Sequence, residues 1–162
     1  MKNYYFPLQN YLLKICFLVV SLLFLSFSVA ERTIKKPFFV APTITGATIA
    51  ADNAYVDVTF DQGVEKSGGG ALTKSDFSIS ITTNAGGNLT GVSIASITKT
   101  DGSALAGSES TIRFNLTYSG GTPAGIAAGV ETIKITPSTA TSVYNLANEP
   151  MAGTQSTGDV LL

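Results

Sequence analysis

The stretch Ala54-Tyr55-Val56-Asp57-Val58-Thr59-Phe60-Asp61-Gln62-Gly63-Val64 constrains the fold of this chain more than any other. Val56, Val58 and Phe60 alternate with Tyr55, Asp57, Thr59 and Asp61, which is the two-residue period of a strand with one apolar and one wet face. An outward Asp between two inward valines suits an antiparallel sheet with one solvated side, not a parallel sheet covered on both. The spacing predicts a half-buried strand that runs straight into a turn at Gln62-Gly63.

The same alternation returns along the chain. Thr43–Ala50 reads as a strand with Gly46 as a bulge or bend, and Asp52-Asn53 as the turn after it. Gly63 to Lys74 is polar and glycine-rich around Ser67-Gly68-Gly69-Gly70, the composition of an exposed loop. Asp76–Thr82 alternates with Phe77, Ile79 and Ile81 inward. Asn84-Ala85-Gly86-Gly87-Asn88 has the composition of a hairpin connection, because Gly and Asn accept positive φ cheaply. In Val92–Thr98 the apolar spacing slips by one between Ile94 and Ile97, a slip that a β-bulge absorbs.

Asp101-Gly102 marks a turn, Gly107-Ser108 extends that loop, and Thr111–Thr117 places Ile112, Phe114 and Leu116 inward. Gly120–Gly129 is too rich in glycine for a stable helix. Glu131–Pro137 is a strand closed by its proline, Val143–Asn148 a tight turn, and Val160–Leu162 a last short strand. No window beyond the first thirty residues carries a 3.6-residue apolar stripe. About seven short strands with turn residues between them predict an all-β antiparallel sandwich over residues 43–162.

The first thirty residues are a different object. Lys2 and Lys14 precede the apolar run Ile15–Ala30, and Ser28-Val29-Ala30 fits the small-x-small rule for signal peptidase. A spanning helix wants about 20 apolar residues; this run is shorter and ends in a cleavage site, so residues 1–30 are expected to be a signal peptide. Residues 31–42, with Lys35-Lys36-Pro37 and Ala41-Pro42 framing Phe38-Phe39-Val40, form an extended linker. Cys16 is the only cysteine. It lies at the start of the apolar run behind Lys14-Ile15, not behind a small residue at its end as in a lipoprotein signal.

Processing at Ala30 leaves a chain with no cysteine, so disulfides, thiolate metal sites and cysteine nucleophiles go with the leader. An exported domain without disulfides points to a bacterial rather than an animal module. Without Lys2 and Lys14, eight basic side chains face eleven acidic ones, a net charge of −3. That weak acidity argues against nucleic acid or an anionic membrane surface as partner.

Histidine is absent, which removes Ser-His-Asp and His-based zinc chemistry. Asp57 and Asp61 share a strand face, but four residues of strand hold them about 13 Å apart. Glycosidase carboxyl pairs stand about 5–9.5 Å apart. Asp52, Asn53, Asp101, Asn145 and Asn148 are turn oxygens without calcium-loop spacing, and turn Asn and Asp ordinarily serve the backbone. Tyr55, Tyr118 and Tyr144 are the exposed aromatics available for stacking on sugar. Asn88 and Asn115 begin Asn-x-Thr sequons, which matter only in a host that glycosylates asparagine. No catalytic, cofactor-binding or metal residue is assigned, no cofactor is expected, and the chain is read as a non-enzyme.

Three stretches resemble a known family. Val56-Asp57-Val58-Thr59-Phe60-Asp61-Gln62-Gly63-Val64 is similar to its V-x-V-x-F strand. Leu72-Thr73-Lys74-Ser75-Asp76-Phe77-Ser78-Ile79 is similar to its L-x-x-x-D-F-x-I segment. Val143-Tyr144-Asn145-Leu146-Ala147-Asn148-Glu149-Pro150-Met151 is similar to its closing turn, with Asn145 where Asp is usual and without the usual Gly before Asn. The family comprises the Ig-like modules repeated in bacterial surface, S-layer-associated and gliding- or swarming-associated proteins, and the resemblance covers about Ala41 to Leu162.

It implies an Ig-like Greek-key sandwich and a structural or adhesive role with no shared catalytic site. The expected location is secreted, extracellular or cell-surface. Expected partners are neighbouring domains of a larger surface protein, or an extracellular protein or glycan, with no nucleic acid and no membrane after signal cleavage. With neither a lipid-attachment cysteine nor a sorting tail after the last strand, the chain is expected to be one piece of a longer architecture or to associate with one. The alternative is a carbohydrate-binding module that targets an enzyme or cell to polysaccharide.

Overall fold

The computed structural model describes residues 39–121, 123 and 125–162. The expected signal peptide at 1–30 and linker residues 31–38 lie outside the described residues. Eight strands follow in chain order: β1 (Ile44–Ile49), β2 (Tyr55–Glu65), β3 (Phe77–Thr82), β4 (Leu89–Thr98), β5 (Glu109–Gly120), β6 (Thr132–Pro137), β7 (Tyr144–Asn145) and β8 (Val160–Leu161). One turn of 3-10 helix, Lys74–Asp76, leads into β3 and is closed by a reciprocal capping box between Thr73 and Asp76. Among the described residues no helix is long and apolar enough to cross a membrane.

The strands form two sheets. One runs β1-β2-β5-β4, with β7 added at the end of β2, and the other runs β3-β6-β8. Every pairing is antiparallel. The apolar faces meet in one core, built from Val56, Val58 and Phe60 of β2, Ile112, Phe114 and Leu116 of β5, and Phe77, Ile133 and Ile135 of the second sheet. Phe114 and Phe77 meet edge to face across the two sheets, centroids 4.8 Å apart and planes at 89°, a favoured geometry for the ring quadrupoles. The result is a β-sandwich with one wet face on each sheet.

Much of the local reading is observed. Val56, Val58 and Phe60 are buried, as are Phe77, Ile112, Phe114 and Leu116. Ile79 and Ile81 face the core but stay half-buried, because β3 is an edge strand. The ladder shifts register at Gly46, and again between Ile94 and Ser96 where the apolar spacing slips.

Three local expectations are corrected. First, β2 does not turn at Gln62-Gly63 but continues to Glu65, with a register shift between Thr59 and Val64. A Cβ on Gly63 would lie 2.6 Å from the Ser108 carbonyl oxygen. The glycine is needed for close approach of two strands, not for a turn. Second, Asn84–Asn88 is not a hairpin, since β3 and β4 belong to different sheets. It crosses the sandwich, and the same Gly and Asn chemistry serves either path. Third, Val143–Asn148 contains strand β7 before its turn, paired to Val64 and Glu65 of β2. A two-residue strand whose partner is far away in sequence leaves no periodicity to detect.

The described chain starts and finishes at opposite ends of the sandwich. The Val40 carbonyl is held by Gln62, near the end of β2, and by Asn145 of β7. The Leu162 N–H donates to the carbonyl of Glu131, just before β6. Thr132, at the start of β6, pairs with Thr82, and Pro137, at its end, pairs with Phe77. From Pro137 the connection 138–143 leads to β7 at the end of β2, so the start of β6 lies at the other pole.

Candidate functional site

The most heavily tethered region is where the described chain enters the sandwich. Asn145 is 3% exposed. Its Nδ2 donates to the Val40 carbonyl at 2.9 Å and to Gln62 Oε1 at 3.2 Å. Its Oδ1 accepts the Ala147 and Glu149 N–H groups at 3.0 and 2.9 Å. One amide thus closes the β7 turn and grips the incoming segment. Gln62 Nε2 donates to the same Val40 carbonyl at 2.9 Å.

Three residues after Val40, Thr43 donates its N–H and hydroxyl to the Asp61 carboxylate, both at 2.8 Å, and the Asp61 N–H donates to the Thr43 carbonyl. The Ile44 N–H reaches Gln155 Oε1 at 3.3 Å, and Pro42 is fully buried. Around this clamp stand the exposed apolar side chains Phe39, Val40 and Leu146.

The opposite pole is fixed by a buried carboxylate. Glu131 is fully buried. Its Oε1 accepts the N–H groups of Asn88 and Leu89 at 2.7 and 3.2 Å. Its Oε2 accepts those of Ala128 and Val130 at 2.9 and 3.3 Å. These backbone donors, Asn88 foremost, hold its pKa down at about 2 against the opposing effect of burial. Sequence reading passed over Glu131 because a Glu opening a strand looks like any solvated one; only the loops wrapped around it make it a latch.

The wet face of the larger sheet carries the densest polar group. Arg113 on β5 and Asp57 on β2 are register partners, joined by Nε to Oδ1 and an outer guanidinium nitrogen to Oδ2, both at 2.8 Å. This fork raises the Arg113 pKa further, first through the hydrogen bond to Asp57. The guanidinium also lies 3.7 Å above the Tyr55 ring centroid, a cation–π stack. Next to it Asn115 donates to Ser96, and Ser93 meets Thr117 at 2.8 Å.

This arrangement decides where the sequence-named residues stand. Arg113 covers one face of the Tyr55 ring. Tyr118 is half-buried and spends its hydroxyl on the Asn53 carbonyl at 2.9 Å; burial pushes its pKa up to about 12. Tyr144 lies in β7, partly covered. Asp57 is taken by Arg113 and Asp61 by Thr43, so the two carboxylates serve different partners. The side-chain oxygens of Asp52, Asp101 and Asn148, like that of Asn145, serve the backbone. Asp52 accepts from the Ala54 N–H, Asp101 from the Ser103 N–H and hydroxyl, and Asn148 from the Gly68 N–H. The bonds to Ser103 lower the Asp101 pKa.

A shallow depression of about 400 Å3 lies between Leu72, Ala95, Ile97 and Leu105. Its one titratable side chain, Lys74, donates to the Ala95 carbonyl at 3.2 Å. No match to this chain is found among protein-family models, curated proteins or solved structures.

Proposed function

We propose that this chain is a secreted or cell-surface structural or adhesive module with an Ig-like Greek-key sandwich, one unit of a larger bacterial surface assembly. The observation that carries the reading is the strand order of the two-sheet sandwich. A clamp of four side chains, Asp61, Gln62, Asn145 and Gln155, holds residues 40–44 against the sandwich. Strand order supports the Ig-like part: with β1 to β6 lettered A to F and β8 as G, the sheets read ABED and CFG, the constant-type arrangement. For the alternative role, binding polysaccharide, one face of the Tyr55 ring is already taken by Arg113 and the Tyr118 hydroxyl by the Asn53 carbonyl.

The test pairs location with ligand. Antibody against the chain should label intact cells or the culture medium, and the full chain should be retained by no polysaccharide on a glycan array. Detection only inside cells, as an unprocessed chain, overturns the surface role. Selective retention on one glycan replaces it with the carbohydrate-binding reading.

A further inference from the structure

Among the described residues, the edges of the two sheets are not equally guarded. β1 is broken by a register shift at Gly46. β4 carries two shifts and has Lys74 lying on its Ala95 carbonyl. β8 is two residues long. These are the devices that discourage strand addition. β3 has none of them: Phe77-Ser78-Ile79-Ser80-Ile81-Thr82 pairs without a shift along all six residues to β6, and it contains no charge, Pro or Gly.

Antiparallel geometry says which groups are open. The Ser138 N–H donates to the Asp76 carbonyl, directly opposite it in the ladder. Alternation then turns the backbone groups of Ser78, Ser80 and Thr82 towards β6 and those of Phe77, Ile79 and Ile81 outward. The Phe77 N–H is capped by the Lys74 carbonyl. The N–H and C=O of Ile79 and of Ile81 remain, together with the C=O of Phe77 at the start of the strand, two donors and three acceptors along an otherwise regular edge.

We infer that this edge is a homotypic docking site, where β3 of a second copy adds antiparallel to form one continuous sheet through two molecules. The choice of a second copy follows from register. With Ser80 opposite Ser80 about a two-fold axis, Ile79 faces Ile81 of the second copy and Ile81 faces its Ile79. The N–H and C=O groups of Ile79 and Ile81 in both copies are then satisfied in four hydrogen bonds. Ile79 and Ile81 stay on the core side, the serines on the wet side, and no like charges meet. The contact is isologous and closes at two molecules. It is lateral, and so independent of any end-to-end linkage.

The experiment uses the full chain with Cys16→Ser, so that any introduced thiol is the only one. Sedimentation should give the mass of a dimer. Ser80→Cys should cross-link under mild oxidation, because a non-hydrogen-bonded pair holds Cα atoms about 4.5 Å apart, within disulfide reach. Ser78→Cys, opposite Thr82 in this register, should not, since its counterpart lies about 13 Å away along the strand. Ser80→Lys should be monomeric with an unchanged circular dichroism spectrum, Ser80 being exposed in the single chain. A monomer mass at several hundred micromolar, or equal cross-linking through Ser78→Cys, overturns the proposal.

Discussion

Glu131 Oε1 accepts the Asn88 N–H at 2.7 Å, tying the start of β6 to the link that carries the chain from one sheet to the other. With Leu89, Ala128 and Val130 also donating, the carboxylate must stay ionised to be satisfied. Its pKa falls from 4.5 to about 2 on folding. A depressed carboxylate stabilises the fold fully above the unfolded value and loses that contribution as pH falls through the folded one. The melting temperature of the native chain should therefore drop between pH 4.5 and 2. Glu131→Gln should melt lower at pH 7 and show a shallower fall over that window. Parallel curves for the two proteins would refute the latch.

Asn145 uses both ends of its amide, donating to Val40 and Gln62 and accepting from Ala147 and Glu149. Asn145→Asp keeps the acceptor for Ala147 and Glu149 but aims a carboxylate at the Val40 carbonyl and Gln62 Oε1. Asn145→Ala loses both sides. Each should cost about 1–3 kcal/mol, the usual penalty for orphaned buried partners, read by urea unfolding. Hydrogen exchange should speed up at Thr43 and Ile44 in both variants. Unchanged protection there would mean that the clamp does not hold the incoming segment.

The Phe77–Phe114 contact joins the two sheets at the centre of the core. Phe114→Ala should lose about 3–5 kcal/mol, and Phe114→Leu clearly less. Denaturant midpoints check the order; a loss below about 1 kcal/mol for the alanine variant would show that the sheets close over the gap.

Gly63 and Gly46 make a matched pair. A Cβ at Gly63 meets the Ser108 carbonyl oxygen at 2.6 Å, whereas at Gly46 nothing lies within 4 Å. Gly63→Ala should therefore cost about 1–3 kcal/mol through forced displacement of backbone, while Gly46→Ala should be near neutral. Equal thermal shifts for the two would contradict the close approach.

Alternation in the sequence determined which residues of β2, β3 and β5 face inward, and the slip between Ile94 and Ile97 announced a bulge. Both are local, because the two-residue period forces side chains to opposite faces whatever the partner strand is. Pairing is not local. Gly63 looked like a turn because its Ser108 neighbour is remote in sequence. Asn84–Asn88 looked like a hairpin because a turn's composition does not record whether the chain stays in one sheet. Asp52 and Asp101 were legible as backbone servants, since each closes a turn onto an N–H two residues on. Glu131, the Asn145 clamp and the Arg113 cover on Tyr55 were not. Each depends on groups brought together from distant strands, and only the tertiary fold decided which carboxylate was buried, which amide gripped and which ring carried a cation on its face.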